Sequence, residues 1–556
     1  MASFVTKVWH GVVRPGRLAG PLFDKELRVA SRRRKYYLLR FAYVCLLAIV
    51  VRHFWDSFVR VGGPGPMVAQ VARMGAAGRG VSVTIIWFQF IAAQVLAAVL
   101  LSDAISGEIR RRTLEDLLVT PIRGIHVILG KLLGGLLHVI LLVGISLPVL
   151  AVARALGGVP WDYLVSGLCI TLSASVFAGA LSLLCSTIYR QASRVVVMVG
   201  LWYVALWGLD GLQLLLLPWT LPVGNRAGAM LWSLVSPLHA LYVRTQTMLA
   251  GPSPASPCVA LAPHCLTTLL AAMILLVLSA RRVRRVIPAL IRGPADEGPE
   301  AMRVLQSEAG KVVRRTRAGA LMRQGLKTPL LWWDLSLSLF PTRVFDVVLW
   351  LIVGGLALFT GQGRRQIFVI PISALQWLFI IRLGVAAAGS ITREKQAHTW
   401  AILLTTPLDE GEILIAKAGD ALRRTLALLV PLVSLYWLAF VSGIPWQQDL
   451  PDLVLHVAVP VIHLAGTIVL LLGTGLSAGI HCRTATGAIA MVLGSYFCLA
   501  FVASPLFAGV LGVPVPARGA HGYDAAMPGL LVAYVYGGLG SYLLLNAARE
   551  LRRNVV

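Results

Sequence analysis

Apolar residues run through this chain in long, unbroken stretches, and charge is confined to the gaps between them. A helix that crosses hydrocarbon needs about 20 consecutive apolar residues, and about twelve stretches here meet that need. In the first half they cover 38–54, 82–104, 130–154, 161–189, 193–217 and 263–281. In the second half they cover 343–360, 367–389, 421–443, 453–480, 485–512 and 526–548. The runs are too long and too continuous for the alternating strands of a membrane barrel. The pattern predicts an all-α polytopic membrane protein of about twelve transmembrane helices, arranged as two six-helix repeats.

Composition agrees. Of 556 residues, 57% are apolar and 13% charged, against about 25% charged in soluble domains; the mean hydropathy is +0.79. The formal net charge of +26 would suggest nucleic acid in a soluble protein. Here the basic residues cluster between apolar runs, and no nucleic-acid-binding motif accompanies them. They fit loops on the cytoplasmic face and the anionic leaflet. Arg32, Arg33, Arg34 and Lys35 precede the first run; Arg110, Arg111 and Arg112 follow the second. Arg190 and Arg194 follow the fourth, and Arg281, Arg282, Arg284 and Arg285 follow the sixth. All fall on one side, which predicts a plasma (inner) membrane protein with both termini inside. Residues 55–81, read as an outer loop, carry Arg60, Arg73 and Arg79 against this trend. The first 35 or so residues are polar and basic, which predicts no cleavable signal peptide.

Four segments follow: 1–37, a cytoplasmic N-terminus; 38–281, the first six-span half; 282–328, a basic linker; and 329–556, the second six-span half. Residues 281–328 hold twelve basic and four acidic residues, a net of +8. Two readings of the linker stand: a partly helical element on the inner membrane surface, or a solvated connector. Of seven cysteines, Cys258 and Cys265 share a loop and are open to a disulfide or to two free thiols, while the rest read as small buried hydrophobes.

The segment GEIRRRTLEDLLVTPI (107–122) returns as REKQAHTWAILLTTPL (393–408). Glu108 and Glu394, Thr113 and Thr399, Leu117-Leu118 and Leu403-Leu404, Thr120-Pro121 and Thr406-Pro407, and Lys131 and Lys417 are all related by a constant offset of 286 (399 − 113 = 286). PLFDKEL (21–27) is echoed more loosely by PLLWWDL (329–335). Leu114, Leu117 and Leu118 share one helical face, as do Trp400, Leu403 and Leu404, with Arg110, Arg111, Glu115 and Asp116 largely elsewhere around the wheel. The pattern predicts a short amphipathic helix ended by Pro121 or Pro407. An ordinary interfacial helix explains the amphipathicity. A surface that docks one kind of partner twice also explains the repeated Glu, Thr, Thr-Pro and Lys. Lys131 and Lys417 stand at the mouth of the next span, where an ammonium can snorkel.

These residues resemble the membrane subunit of type-two ABC transporters, the exporter-permease family. Its members carry a Glu, Gly-Thr-Leu-Glu, Leu-Leu, Thr-Pro segment between their second and third spans. Glu108, Thr113, Leu114, Glu115, Leu117, Leu118, Thr120 and Pro121 match it, as do Glu394, Thr399, Leu403, Leu404, Thr406 and Pro407. Arg112 and His398 depart from the family's glycine, and Trp400-Ala401 from its Leu-Glu. The resemblance implies that these residues couple the permease to a separate ABC ATPase subunit, in two copies, and that residues 21–27 form an amphipathic elbow helix. It implies export, and a chain that holds both permease halves. Glu108 and Glu394 would then pair with basic groups on the ATPase or cap a helix start.

The sequence has no phosphate-binding GxxxxGK[ST] loop; GIHVILGKLL (124–133) has the wrong spacing and runs into a span. The chain is therefore expected not to hydrolyse ATP itself and to need no cofactor. Arg382, deep in the eighth run, and Asp210, in the fifth, are candidates for the translocation pathway. His456 and His463 lie seven residues apart with no third metal ligand in view. The alternatives are a proton- or ion-coupled secondary transporter of six-plus-six architecture, or an integral-membrane transferase or protease. The last would need paired carboxylates, HExxH or a Ser/His pair near the interface, and none is found.

Overall fold

A computed structural model describes residues 34–55, 66–111, 124–189, 191–203, 206, 234–250, 261–291, 366–397, 399–400, 403, 409–443, 450–482, 484–500 and 523–555. No strand occurs among them. The chain is an all-α, multi-pass membrane protein. Among the described residues six helices are long and apolar enough to cross a bilayer, and three shorter apolar helices accompany them.

The helices gather into two compact units, one within residues 1–286 and one within 287–496 and 510–556, with a short outlier at 497–509 grouped with the first. The first unit holds α1 (Arg34–Trp55), α2 (Met67–Ser102), α3 (Ser106–Arg111), α4 (Gly124–Ala155) and α5 (Trp161–Ile188). It continues with α6 (Ala192–Tyr203), α7 (Pro237–Ala250) and α8 (Leu261–Ile291). The second holds α9 (Gln366–Gln396), α10 (Glu410–Arg423), α11 (Leu426–Gly443), α12 (Leu450–His481), α13 (Ala485–Cys498) and α14 (Tyr523–Val555).

In the first unit α2 is central. It packs on α1, α4 and α5, and Val81, Ile85, Ile86 and Phe90 join Leu47, Leu150, Leu164 and Leu241 in one core. In the second unit α9 has the same place, packed on α10, α11 and α12. The α9 span is 72% buried, whereas that of α8 is 22% buried. Leu266, Leu270, Met273 and Ile274 of α8 form an exposed apolar face, as expected of a helix that faces a bilayer.

The structure departs from the sequence reading in three places. Residues 67–81 are helical, not loop: α2 begins at Met67, well before the predicted span. The extension is rich in Ala and Gly and lies against the α4–α5 turn. There Gly157 and Gly158 take φ of +95° and +78°, a conformation that glycine adopts without strain. A Cβ on Gly78 would stand 2.6 Å from the Ala153 carbonyl oxygen, so only glycine permits this approach. Second, the predicted span 421–443 is interrupted: α10 stops at Arg423 and α11 starts at Leu426. Third, α8 runs on to Ile291, so the first ten residues of the basic linker are helical. The predicted span 343–360, the tail of 193–217 and residues 501–512 lie outside the described residues, as does the elbow segment 21–27.

In the second unit α12 and α14 cross closely through small residues. A Cβ on Gly466 would lie 2.6 Å from the Ala533 carbonyl oxygen, and one on Gly540 2.5 Å from that of Val469. Lipid offers no hydrophobic drive between spans, so such backbone approach supplies the van der Waals contact that holds them. Gly540→Leu is expected to force the helices apart and cost roughly 1–3 kcal/mol or more. Its thermal midpoint in detergent should fall. Gly538→Leu, on the same helix with open space around it, should unfold like the parent.

Candidate functional site

α2 stops at Ser102, and the chain turns through Asp103 before α3 begins at Ser106. Such a break frees backbone N–H groups. Ser186 Oγ on α5 accepts two of them, from Ile105 (3.3 Å) and Ser106 (3.0 Å). The turn is thereby pinned to α5, and Glu108 stands in the first turn of α3. Its Oε1 lies 2.5 Å from Lys131 Nζ on α4, with side-chain exposures of 19% and 13%. Glu108 Oε2 is buried and accepts no hydrogen bond among the described residues.

The second unit makes the same pair by another local route. α9 runs unbroken through the corresponding positions, and Glu394 near its end pairs with Lys417 of α10. Gly479 of α12 faces Ile391, as Ser186 faces Ile105 (391 − 105 = 286). Where the helix breaks, a hydroxyl meets its loose amides; where it continues, a glycine lets it pass close by. The sequence separation is identical in both pairs: 131 − 108 = 23 and 417 − 394 = 23.

An ammonium or carboxylate taken from water at the end of a span is unfavourable alone, and each pair offsets that cost internally. The sequence reading gave the lysine to the interface and the glutamate to the ATPase or to a helix start. The structure joins them. Helix-start capping fits only Glu108, because Glu394 lies near the C-terminal end of α9, where the dipole does not favour a carboxylate.

Further contacts tie the same end of the second unit. Lys395 Nζ donates to the Ile480 carbonyl oxygen at the end of α12, and His481 Nε2 meets Glu550 Oε1 of α14 at 3.0 Å. Thr399 is exposed, its N–H bonded to the Glu394 carbonyl oxygen, and the Leu403 N–H bonds back to Thr399. Trp400 packs against Ile391, Leu414, Leu476 and Leu551. The residue that departs from the family's leucine thus turns inward and anchors the segment.

Thr113, Leu114, Glu115, Leu117, Leu118, Thr120 and Pro121 lie outside the described residues, as do Leu404, Thr406, Pro407 and Asp210. Arg382 is half-buried on α9 and is engaged by its surroundings. The described residues hold no cluster of three or more His, Cys, Asp or Glu that could bind a metal. The His463 ring packs on Tyr536, with centroids 5.7 Å apart. Cys265 is a free thiol, and Cys258 lies outside the described residues.

Sequence reasoning missed the pairing, although the equal 23-residue separation was its signal. It also missed Asp420, which binds both Arg423 and Arg424. Lys417→Met should leave the Glu394 carboxylate without its counter-charge and destabilise the chain by about 3 kcal/mol. Denaturant or thermal unfolding in detergent measures this, and Lys417→Arg should keep most of the stability.

Residues 21–286 match the family model described as ABC-2 family transporter protein. That stretch includes Glu108, the segment after it and Lys131. No curated protein matches the chain.

Proposed function

From the match of residues 21–286 to the ABC-2 family transporter model, we propose that the chain is the membrane permease of an ABC-type exporter, driven by a separate ATPase. Association with an ABC ATPase is general in that family. The finer reading is that one chain supplies both permease halves, each docking one ATPase copy. The chain itself hydrolyses no ATP, sits in the plasma (inner) membrane and keeps both termini inside.

The observation that carries this reading is the duplicated Glu–Lys pair at identical spacing. In each unit it joins the end of the second span to the helix that leads into the third, beside the segment expected to meet the ATPase. Residues Thr113 to Pro121 and Thr399 to Pro407 receive the ATPase's motion. Leu117, Leu118, Leu403 and Leu404 are the apolar anchors. The Glu108–Lys131 and Glu394–Lys417 pairs convert a push on the segment into joint movement of two spans, because an ion pair removed from water resists separation. Arg382 and Asp210 are the polar candidates along the pathway those spans would open.

Copurification with a co-expressed ABC ATPase tests the reading. Leu117→Asp together with Leu118→Asp should reduce bound ATPase on the order of tenfold or more, the usual effect of losing an interface anchor. The swapped variant Glu108→Lys/Lys131→Glu keeps a pair and should keep the ATPase. Undiminished binding by the leucine variant would remove the docking role.

A further inference from the structure

Polar side chains from three helices meet inside the core of the first unit. Tyr43 of α1, Gln89 of α2 and Ser146 of α4 are 8%, 4% and 0% exposed. Tyr43 belongs to the same apolar core as Leu47, Ile86 and Leu150, and its ring stacks on Phe88 with centroids 6.2 Å apart. Gln89 stands thirteen residues before the end of α2 (102 − 89 = 13), about 20 Å along the helix axis. That depth lies inside the hydrocarbon, where bulk water satisfies no polar group.

Ser146 Oγ lies 2.8 Å from Gln89 Oε1 and 2.8 Å from the Val143 carbonyl oxygen, and a hydroxyl has only one proton to give. If it donates to Gln89 Oε1, both Nε2 protons are left over, and Nε2 is buried with no acceptor among the described residues. If it donates to Val143, the amide turns over and Nε2 donates to Ser146 Oγ. The amide oxygen is then left without a donor. The Tyr43 hydroxyl approaches Ser146 from α1 but makes no direct hydrogen bond. Either way one end of the Gln89 amide and the Tyr43 hydroxyl both need a partner, because a buried polar group without one is costly. The second unit has no such need. Under the offset of 286 the positions of Gln89 and Ser146 are Leu375 and Leu432 (89 + 286 = 375, 146 + 286 = 432), which are 3% and 0% exposed. Two leucines fill that place, so packing alone does not call for a polar pair.

We propose that the first unit binds a water molecule between α1, α2 and α4, held by the Gln89 amide, the Tyr43 hydroxyl and Ser146 Oγ. Three partners are what a buried water ordinarily has. Water both donates and accepts, so it satisfies the free end of the amide in either orientation. It also joins Tyr43 to Gln89, which do not bond directly, and so ties α1 to α2 and α4 at mid-membrane. The site is independent of the ATPase-coupling reading and stands or falls separately.

The test uses the full chain in detergent micelles and reads the thermal midpoint through a double-mutant cycle. Tyr43→Phe removes one hydroxyl and keeps the ring on Phe88. It should lower the midpoint by roughly 2–4 °C, the effect of losing one hydrogen bond. Gln89→Met keeps the length of the side chain and should lower the midpoint at least as far. Tyr43→Phe added to Gln89→Met should cost nothing further, because the shared water is already lost. A midpoint that holds or rises in Tyr43→Phe alone would mean a dry hydroxyl and overturn the site. An equal fall from Tyr43→Phe in both backgrounds would overturn it too. A cryo-electron-microscopy map that shows ordered water supplies the second readout. One peak within about 3.2 Å of both the Gln89 amide and the Tyr43 oxygen is expected. No peak there would overturn the site, and elongated density would overturn the water assignment in favour of a larger polar ligand.

Discussion

Each of the two units carries a lysine on the helix that follows the motif segment, Lys131 on α4 and Lys417 on α10, and an ammonium there is costly to bury without a carboxylate. Both halves meet the requirement from within, with Glu108 for Lys131 and Glu394 for Lys417. Much of the local architecture follows from that need. The glutamate must arrive on the neighbouring helix at the right height, so the helix that carries it has to end, turn or continue in register with the helix that carries the lysine. In the first unit a broken helix does this, stapled by Ser186. In the second a continuous helix does it, eased past α12 by Gly479. The same ion pair reached through different backbone paths argues that the pair is what is required and the path is secondary.

The two units differ beyond that shared contact. α4 is one helix of 32 residues, while its counterpart is divided into α10 and α11 around Arg424 and Thr425. The second unit adds the Lys395 bond to α12, the His481–Glu550 contact and the Asp420 cluster. Among the described residues, its motif end is the more heavily cross-tied. Under the proposed coupling, motion delivered to the first unit would meet one continuous helix, and in the second it would meet a divided one.

The class of the fold was legible in the sequence because hydrocarbon imposes its demand on every residue of a span. Runs such as 161–189 therefore came through nearly to the residue. The helical stretch 67–81 was not legible. Its arginines and glycines read as loop, and only its packing on the Gly157–Gly158 turn shows why glycine belongs there. The break at Arg424 was hidden for the opposite reason: the apolar count stays high across it, and the local chemistry is set by Asp420 reaching two arginines. Within the site, the recurrence of Glu108 and Lys131 at 394 and 417 was visible, but spacing alone could not say that the two side chains meet. Pairing depends on the angle between helices, which no periodicity records.

In the proposed mechanism each pair moves as one body. A chain lacking its seven native cysteines, with Glu394→Cys and Lys417→Cys, can be joined by a short bis-thiosulfonate linker and assembled with its ATPase. The decisive measurement is ATP hydrolysis stimulated by the permease, before and after linking. Weak stimulation is expected in the unlinked variant, which has lost the ion pair, and recovery once the linker restores the tether. If linking suppresses the remaining stimulation, the two helices must separate during the cycle, and the pair is not a rigid joint.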